Sequence, residues 1–191
     1  MKLLGLRICD HDSNFSYFDG EKVRYLKTER KYQIKHHSVM KNQNYKEQGF
    51  DWTLWEKIIE EEWGIRSKNL DEIAIVFDPW FYNFNTRNDI FFPSRPEVDF
   101  KADCKVTRVN HHWAHHLSCW PLVKEPHKLN GFSCDGFGDY HTIWTLIEQG
   151  KCKVRGDAQY GSIGHLLSET GTYFDVKAYY SIDIAGKLMA L

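Results

Sequence analysis

The sequence predicts a mixed α/β chain whose plan is used twice, and three observations carry that prediction. Short apolar or alternating stretches of strand length recur along the chain, and an amphipathic stretch of helix length follows the first three of them. The succession of strand, Cys-Asp, tight polar loop, strand, Gly turn and strand occurs at "RICDHDSNFSYFDGEKVRY" and again at "FSCDGFGDYHTIWTLIEQGKCKV". The competing explanation of the repeat is that hairpins are common and two of them often look alike.

The elements are justified in chain order. "KLLGLRIC" reads as a buried strand, "NFSYF" alternates, and Asp19-Gly20 is a hairpin turn signal before "KVRYLKT". "DWTLWEKIIEEEWG" has helical periodicity, with Asp51 placed to cap its start and Gly64 to end it. "DEIAIVF" is a short buried strand. Residues 78 to 103 carry three prolines and many aromatics and read as an irregular excursion. "CKVTRV" is a further strand that runs directly into "VNHHWAHHLSCW". After it come the strand and acidic Gly-rich turn of "GFSCDGFGDY", the alternating "HTIWTLIE", the turn "QG" and the strand "KCKVRGD".

Composition narrows the function classes. A chain of 191 residues can bury one sizeable core or build two small lobes. With 25 Lys+Arg against 26 Asp+Glu and no basic run, attraction to a phosphate backbone is not encoded, so there is no strong nucleic-acid signal. The aromatic share of 15% does not interleave with basic residues and reads as packing. "MKLLGLRICDHD" is too short in apolar residues for a signal peptide, and no apolar run approaches membrane-spanning length. The five cysteines lack any C-x-x-C, which argues against a disulfide framework or zinc ribbon and fits a reducing cytoplasm.

A three-strand meander, a helix and further strands, twice over, is the plan of the duplicated ribonuclease H-like fold shared by actin, hexokinase and sugar kinases. The sequence places a first lobe at 1–130 and the start of a second at 131–191. In that plan the two turns between strands 1 and 2 offer backbone N–H groups to phosphate; here they are Asp10 to Asn14 and Asp135 to Asp139. No G-x-x-x-x-G-K-[ST] is present, so a P-loop is not indicated.

Four of the ten histidines fall within residues 111–116. On a helix, His111 and His115 share one face, while His112 and His116 share another about 100° round. Either pair can converge on one cation, and spacing alone does not choose between them. The alternative for any of these histidines is helix capping or a hydrogen bond in a polar interface. Two imidazoles leave a cation under-coordinated, and Asp135, at the end of the next predicted strand, is the natural third ligand. Two histidines and a carboxylate with open positions suit a catalytic divalent ion such as Fe(II), Mn(II) or Zn(II).

These residues resemble a family. "VNHHWAHHLSCW" is similar to the "NHHxAH" signature of the nodulation-type O-carbamoyltransferases, and the tRNA threonylcarbamoyl transferases carry a related "NHxxAH". "GLRICDHDSNFSYFDGEKV" resembles the family's opening "HD[AS]…DG" segment, "TERKYQIKHH" its "EER…KH", "FSCDGFGDYHT" its "DGxGE" strand, and "GHLLSETGTYFDVKAYYSIDIAGKLMAL" its "GxLY…GKVMALA". Five pieces in the right order cover nearly the whole chain in fragments. The resemblance implies a two-lobed domain that transfers a carbamoyl group to an acceptor hydroxyl, and a separate YrdC-like domain that makes carbamoyl-adenylate from carbamoyl phosphate and ATP.

The resemblance also implies site residues. His111, His115 and Asp135 match family metal ligands, with Fe(II) the family's metal and Mn(II) or Zn(II) as alternatives. His11 matches an active-site histidine suited to take the acceptor's proton, or it fixes the turn beside Asp12. His112 is a catalytic candidate, in substrate contact or behind the ligands, while His116 has no counterpart and reads as incidental. Asp12, Ser13, Gly136 and Gly138 are candidates for phosphate contact or for turn formation alone. Lys187 matches the "GKxMAL" segment or is a solvated lysine, and Glu29 and Arg30 match a family segment or form an ion pair. "DGFGD" departs from the family pattern by placing Asp139 where Glu is usual.

The chain stops at "GKLMAL", so the reading expects the remaining second-lobe strands, a later metal-binding aspartate and the YrdC-like domain to be supplied in cis or in trans. The expected acceptor is a small molecule or nucleotide. Three other readings compete: a threonylcarbamoyl-type transferase acting on tRNA, a non-catalytic metal-binding remnant, and an unrelated metallohydrolase using Asp139 or Asp10 as a further ligand.

Overall fold

The computed structural model describes residues 1–8, 12–39, 53–77, 102–135, 142–149, 151–157, 162–178 and 183–190. The chain forms two compact units, Met1–Asn110 and His111–Leu191.

The first unit is built on a five-stranded mixed sheet of order β3-β2-β1-β4-β5. Strands β1 (Leu3–Ile8), β2 (Asn14–Phe18) and β3 (Val23–Lys27) form the expected antiparallel meander, with Leu6 opposite Phe15 and Ser16 opposite Tyr25. The turn between β2 and β3 follows from its residues. Asp19 Oδ1 accepts from the N–H groups of Glu21 and Lys22 at 2.9 and 2.8 Å, and Gly20 takes φ +109° where a side chain would be strained. Strands β4 (Glu72–Phe77) and β5 (Lys105–Arg108) then add in parallel, β4 against β1 and β5 against β4.

Alternation decides the core. Leu4, Leu6 and Ile8 of β1, Phe15 and Tyr17 of β2, and Ile73 and Ile75 of β4 are all buried. They belong to one cluster with Trp55, Ile58 and Ile59 of helix α2 (Leu54–Trp63). Each such side chain contributes roughly 1.5–3 kcal/mol on burial. Helix α2 ends as expected at Gly64, whose N–H bonds the Glu60 carbonyl at 2.9 Å and whose φ of +67° turns the chain out of the helix. Its N-cap is Thr53, whose side chain makes no capping bond to the helix; the expected cap Asp51 lies outside the described residues. The expected excursion at 78–103 lies largely outside them too. A five-residue helix, α1 (Thr28–Tyr32), follows β3 and was not anticipated.

The second unit opens with helix α3 (His111–Ser118), followed by the antiparallel meander β6 (Gly131–Cys134), β7 (Thr142–Glu148) and β8 (Lys151–Asp157). Helices α4 (Ile163–Tyr173) and α5 (Asp183–Met189) come next and pack on each other. Ser162 caps α4 by accepting the His165 N–H at 3.1 Å. The meander therefore recurs in the second unit, and among the described residues no further strand extends it. The boundary between the two compact units lies at 110/111, and α3 packs on β6 and β7. Cys104, Cys119 and Cys134 are free thiols. No helix among the described residues is long and apolar enough to cross a membrane.

Candidate metal centre

Helix α3 starts as soon as β5 ends. The Val109 N–H is held by the Ile75 carbonyl at 2.9 Å, and the next residue, Asn110, is fully buried. The first helical residue is His111, so His111 and His115 stand one turn apart on one face. Their Nε2 atoms are 3.1 Å apart. Asp135 follows the last residue of β6, and its Oδ2 lies 2.5 Å from His111 Nε2 and 3.0 Å from His115 Nε2. The His111 side chain is the most enclosed of the three at 13% exposure, against 36% for Asp135 and 51% for His115.

The three ligand atoms can be tested against the demands of a cation. Ligands at about 2.1 Å from an ion sit roughly 3.0 Å apart in cis octahedral positions and about 3.4 Å apart in a tetrahedron. Two of the three separations, 3.0 and 3.1 Å, already match the octahedral value, and the third must open by about half an ångström. The donor set of two imidazoles and one carboxylate, partly open to solvent, fits a divalent ion with positions left for substrate or water.

The other two histidines face elsewhere. His112 is fully buried, and its Nδ1 lies 2.9 Å from Ser133 Oγ on β6. His116 is 5% exposed, stacks on Trp113 with ring centres 4.9 Å apart, and lies against Gly131. Burial holds the His116 imidazole below its ordinary pKa of 6.5, which favours a neutral ring. Of the two i, i+4 pairs that spacing left open, 111/115 meets the carboxylate and 112/116 meets the sheet.

In the first unit, Asp12 and Ser13 lie just before β2. Ser13 is fully buried and bound within the protein. Its N–H donates to the His37 carbonyl at 3.1 Å, its Oγ accepts from the Val39 N–H at 3.0 Å, and its carbonyl accepts from the Thr28 hydroxyl at 2.9 Å. Asp12 has a left-handed backbone with φ +54°, and its carboxylate meets His36 Nδ1 at 3.0 Å and Lys27 Nζ at 3.3 Å. Glu29 joins the group, accepting the His36 N–H at 3.2 Å and pairing with Lys27 at 3.2 Å.

Asp12, Glu29 and His36 thus form a second cluster of potential ligands, but the Lys27 ammonium already bridges both carboxylates. Burial works to lower the Lys27 pKa, yet its bonds to Glu29 and Asp12 outweigh that and hold it above 10.5. The cluster reads as an ion-pair network.

His11, Gly136 and Gly138 lie outside the described residues. Lys187 is exposed on α5 and donates to the Lys177 carbonyl at 2.7 Å, tying α5 to the segment after α4. Sequence reasoning did not single out Ser133, Gly131, Lys27 or His36. Ser133 had one signal, its place in the alternation of "GFSC" on the face opposite Phe132.

No family model matches the chain, and no curated protein matches it. Among solved structures the chain is similar to YeaZ from Pseudomonas aeruginosa, with a TM-score of 0.37 and 8% identity over 84% of this chain and 67% of that one. A likeness at that level carries no argument about function.

Proposed function

We propose that this chain supplies the divalent-metal site of a carbamoyltransferase, transferring a carbamoyl group from carbamoyl-adenylate to an acceptor hydroxyl. The observation that carries the reading is the convergence of His111 Nε2, His115 Nε2 and Asp135 Oδ2 within 3.1 Å of one another. The ordered motifs give the convergence its chemical direction. The duplicated ribonuclease H-like plan is part of the same proposal. It is supported by the strand order β3-β2-β1-β4-β5, with its antiparallel and then parallel pairing, and by the second meander.

His111 and His115 would hold the ion through Nε2, which requires both rings neutral with the proton on Nδ1. Asp135 would hold it through Oδ2 and offset part of its charge. When bound, the ion supplies Lewis-acid stabilisation of a carbonyl or phosphate oxygen on which charge develops. His11 is proposed as the acceptor of the hydroxyl proton. Asp12 and Ser13 are proposed to shape the turn after β1.

The test is to give purified chain synthetic carbamoyl-adenylate, a panel of polyols and nucleosides, and Fe(II), Mn(II) or Zn(II). AMP release and the carbamate product are then followed by mass spectrometry. Turnover should need the metal, stop with chelator and drop at least 100-fold in Asp135→Asn. The exposed His127→Ala, in a separate short turn, should behave as wild type. Product formation that survives both chelation and Asp135→Asn would remove the basis of the proposal.

A further inference from the structure

Polar groups are prominent where α3 meets its sheet: His112, His116, Ser133 and Thr145 are buried, and among the side chains of the second unit whose burial is described Ile147 is the fully buried large apolar one. Apolar packing is non-directional and would hold such a helix without fixing its rotation. Two contacts on this interface are directional or intolerant of displacement. His112 Nδ1 meets Ser133 Oγ on β6 at 2.9 Å, two residues before Asp135, which directly follows the strand. His116 rests directly on Gly131, where an added Cβ would come 2.3 Å from its Nδ1 and 2.7 Å from its Cε1.

We propose that His112 and His116 are positioning residues that seat α3 on β6, through Ser133 and Gly131, so that His111 and His115 meet Asp135. This rests on the metal site proposed above. The His112–Ser133 bond fixes the register of the helix against the strand that leads directly into Asp135. Gly131 sets how closely the helix approaches. A methyl group there needs about 1 Å more room to reach the ordinary contact distance of 3.4 Å. The His116 ring cannot simply swing aside, since Trp113 stacks on it and Trp120 meets it edge-on with centres 6.3 Å apart. The helix is therefore what yields. Metal-ligand distances tolerate only about 0.2 Å, so a displacement of this size is felt at the ion although no ligand has been changed.

The experiment is a Co(II) titration of the full chain, read by visible absorption, with circular dichroism to confirm folding. Gly131→Ala should bind Co(II) 10- to 100-fold more weakly and shift the absorption bands, the range seen when groups supporting metal ligands are altered. Ser133→Ala, which removes one oxygen and adds no bulk, should weaken binding about tenfold and serves as the measure if Gly131→Ala does not fold. Gly131→Ala combined with His116→Ala should bind no more weakly than His116→Ala alone, because the ring the methyl group strikes is gone; a merely destabilising change would add its own loss to that of His116→Ala. Folded Gly131→Ala or Ser133→Ala with wild-type affinity and spectrum overturns the positioning role while leaving the metal site intact. Failure of the unsubstituted chain to bind Co(II), or binding untouched by His111→Ala, overturns the metal site itself and the positioning role with it.

Discussion

Replacing Asp135 by Asn keeps the shape of the site and removes its one negative charge. Structural zinc sites with four ligands are worth about 10–16 kcal/mol, or roughly 3–4 kcal/mol per ligand. At about 1.4 kcal/mol per tenfold, loss of the carboxylate should weaken binding about 100- to 1,000-fold. Thermal unfolding makes that visible. At a free metal concentration about 100 times the wild-type Kd, binding stabilises the native state by about 2.7 kcal/mol. A unit of the size of His111–Leu191 shifts by about 4–8 °C per kcal/mol. The unsubstituted chain should therefore gain roughly 10–20 °C, and Asp135→Asn, with a Kd at least 100-fold weaker, no more than about 3 °C. The two histidines should rank by enclosure, His111→Ala costing more than His115→Ala, because the His111 side chain is 13% exposed and that of His115 is 51%. Equal metal-induced shifts in Asp135→Asn and the unsubstituted chain would refute the reasoning, since no ion held by that carboxylate could be indifferent to its charge.

Three further outcomes test the first unit. Ile59→Ala removes a side chain with no exposure from the core under α2 and should cost about 2–5 kcal/mol in urea unfolding followed by circular dichroism; a loss below about 1 kcal/mol would mean that the cluster is loosely packed. Burial holds the His37 imidazole below 6.5, so the folded state resists its protonation. The stability this group contributes is whole above about pH 6.5 and is lost as pH falls through its folded pKa. His37→Phe, which preserves the ring beside Tyr32, should flatten the acid limb of a plot of melting temperature against pH, and an unchanged limb would count against that account. Lys27→Met removes the ammonium between Asp12 and Glu29. Because that side chain is 33% exposed, the loss should stay within about 1 kcal/mol and shrink as salt is added; a salt-independent loss several times larger would identify a buried charge.

Much of the fold was legible because its signals are local. β1 and β2 announce themselves by alternation, the hairpin by Asp19-Gly20, and the end of α2 by Gly64. Each is decided by side chains within a few residues of the backbone they shape. Helix α1 was not legible, since five residues carry too little periodicity to separate it from the end of β3. Whether α3 goes with the strand before it or the strands after it depends on contacts with β6 and β7, and neither contributes a signal to the stretch around His111.

The site shows the same division at finer scale. Helical spacing pairs His111 with His115 and His112 with His116 with no knowledge of the fold, but it leaves open a rotation of about 100° that exchanges the roles of the two pairs. What removes the ambiguity is chemistry on another element. Ser133 offers a hydroxyl, and Gly131 offers the absence of a side chain, both to the buried face of the helix. Had β6 carried its polar group at Phe132 rather than Ser133, the alternation would present that group on the opposite face of the sheet, away from the helix. The carboxylate is reached by the same counting, since Asp135 is two residues beyond Ser133 and so follows the strand phase that meets α3. A metal-ligand motif written only as H-x-x-x-H and a distant Asp therefore omits half of its own specification. The phase of the strand between them bears on whether the three residues can share one ion, and in this chain the residues of that phase that meet α3 are Ser133, bonded to His112, and Gly131, against His116.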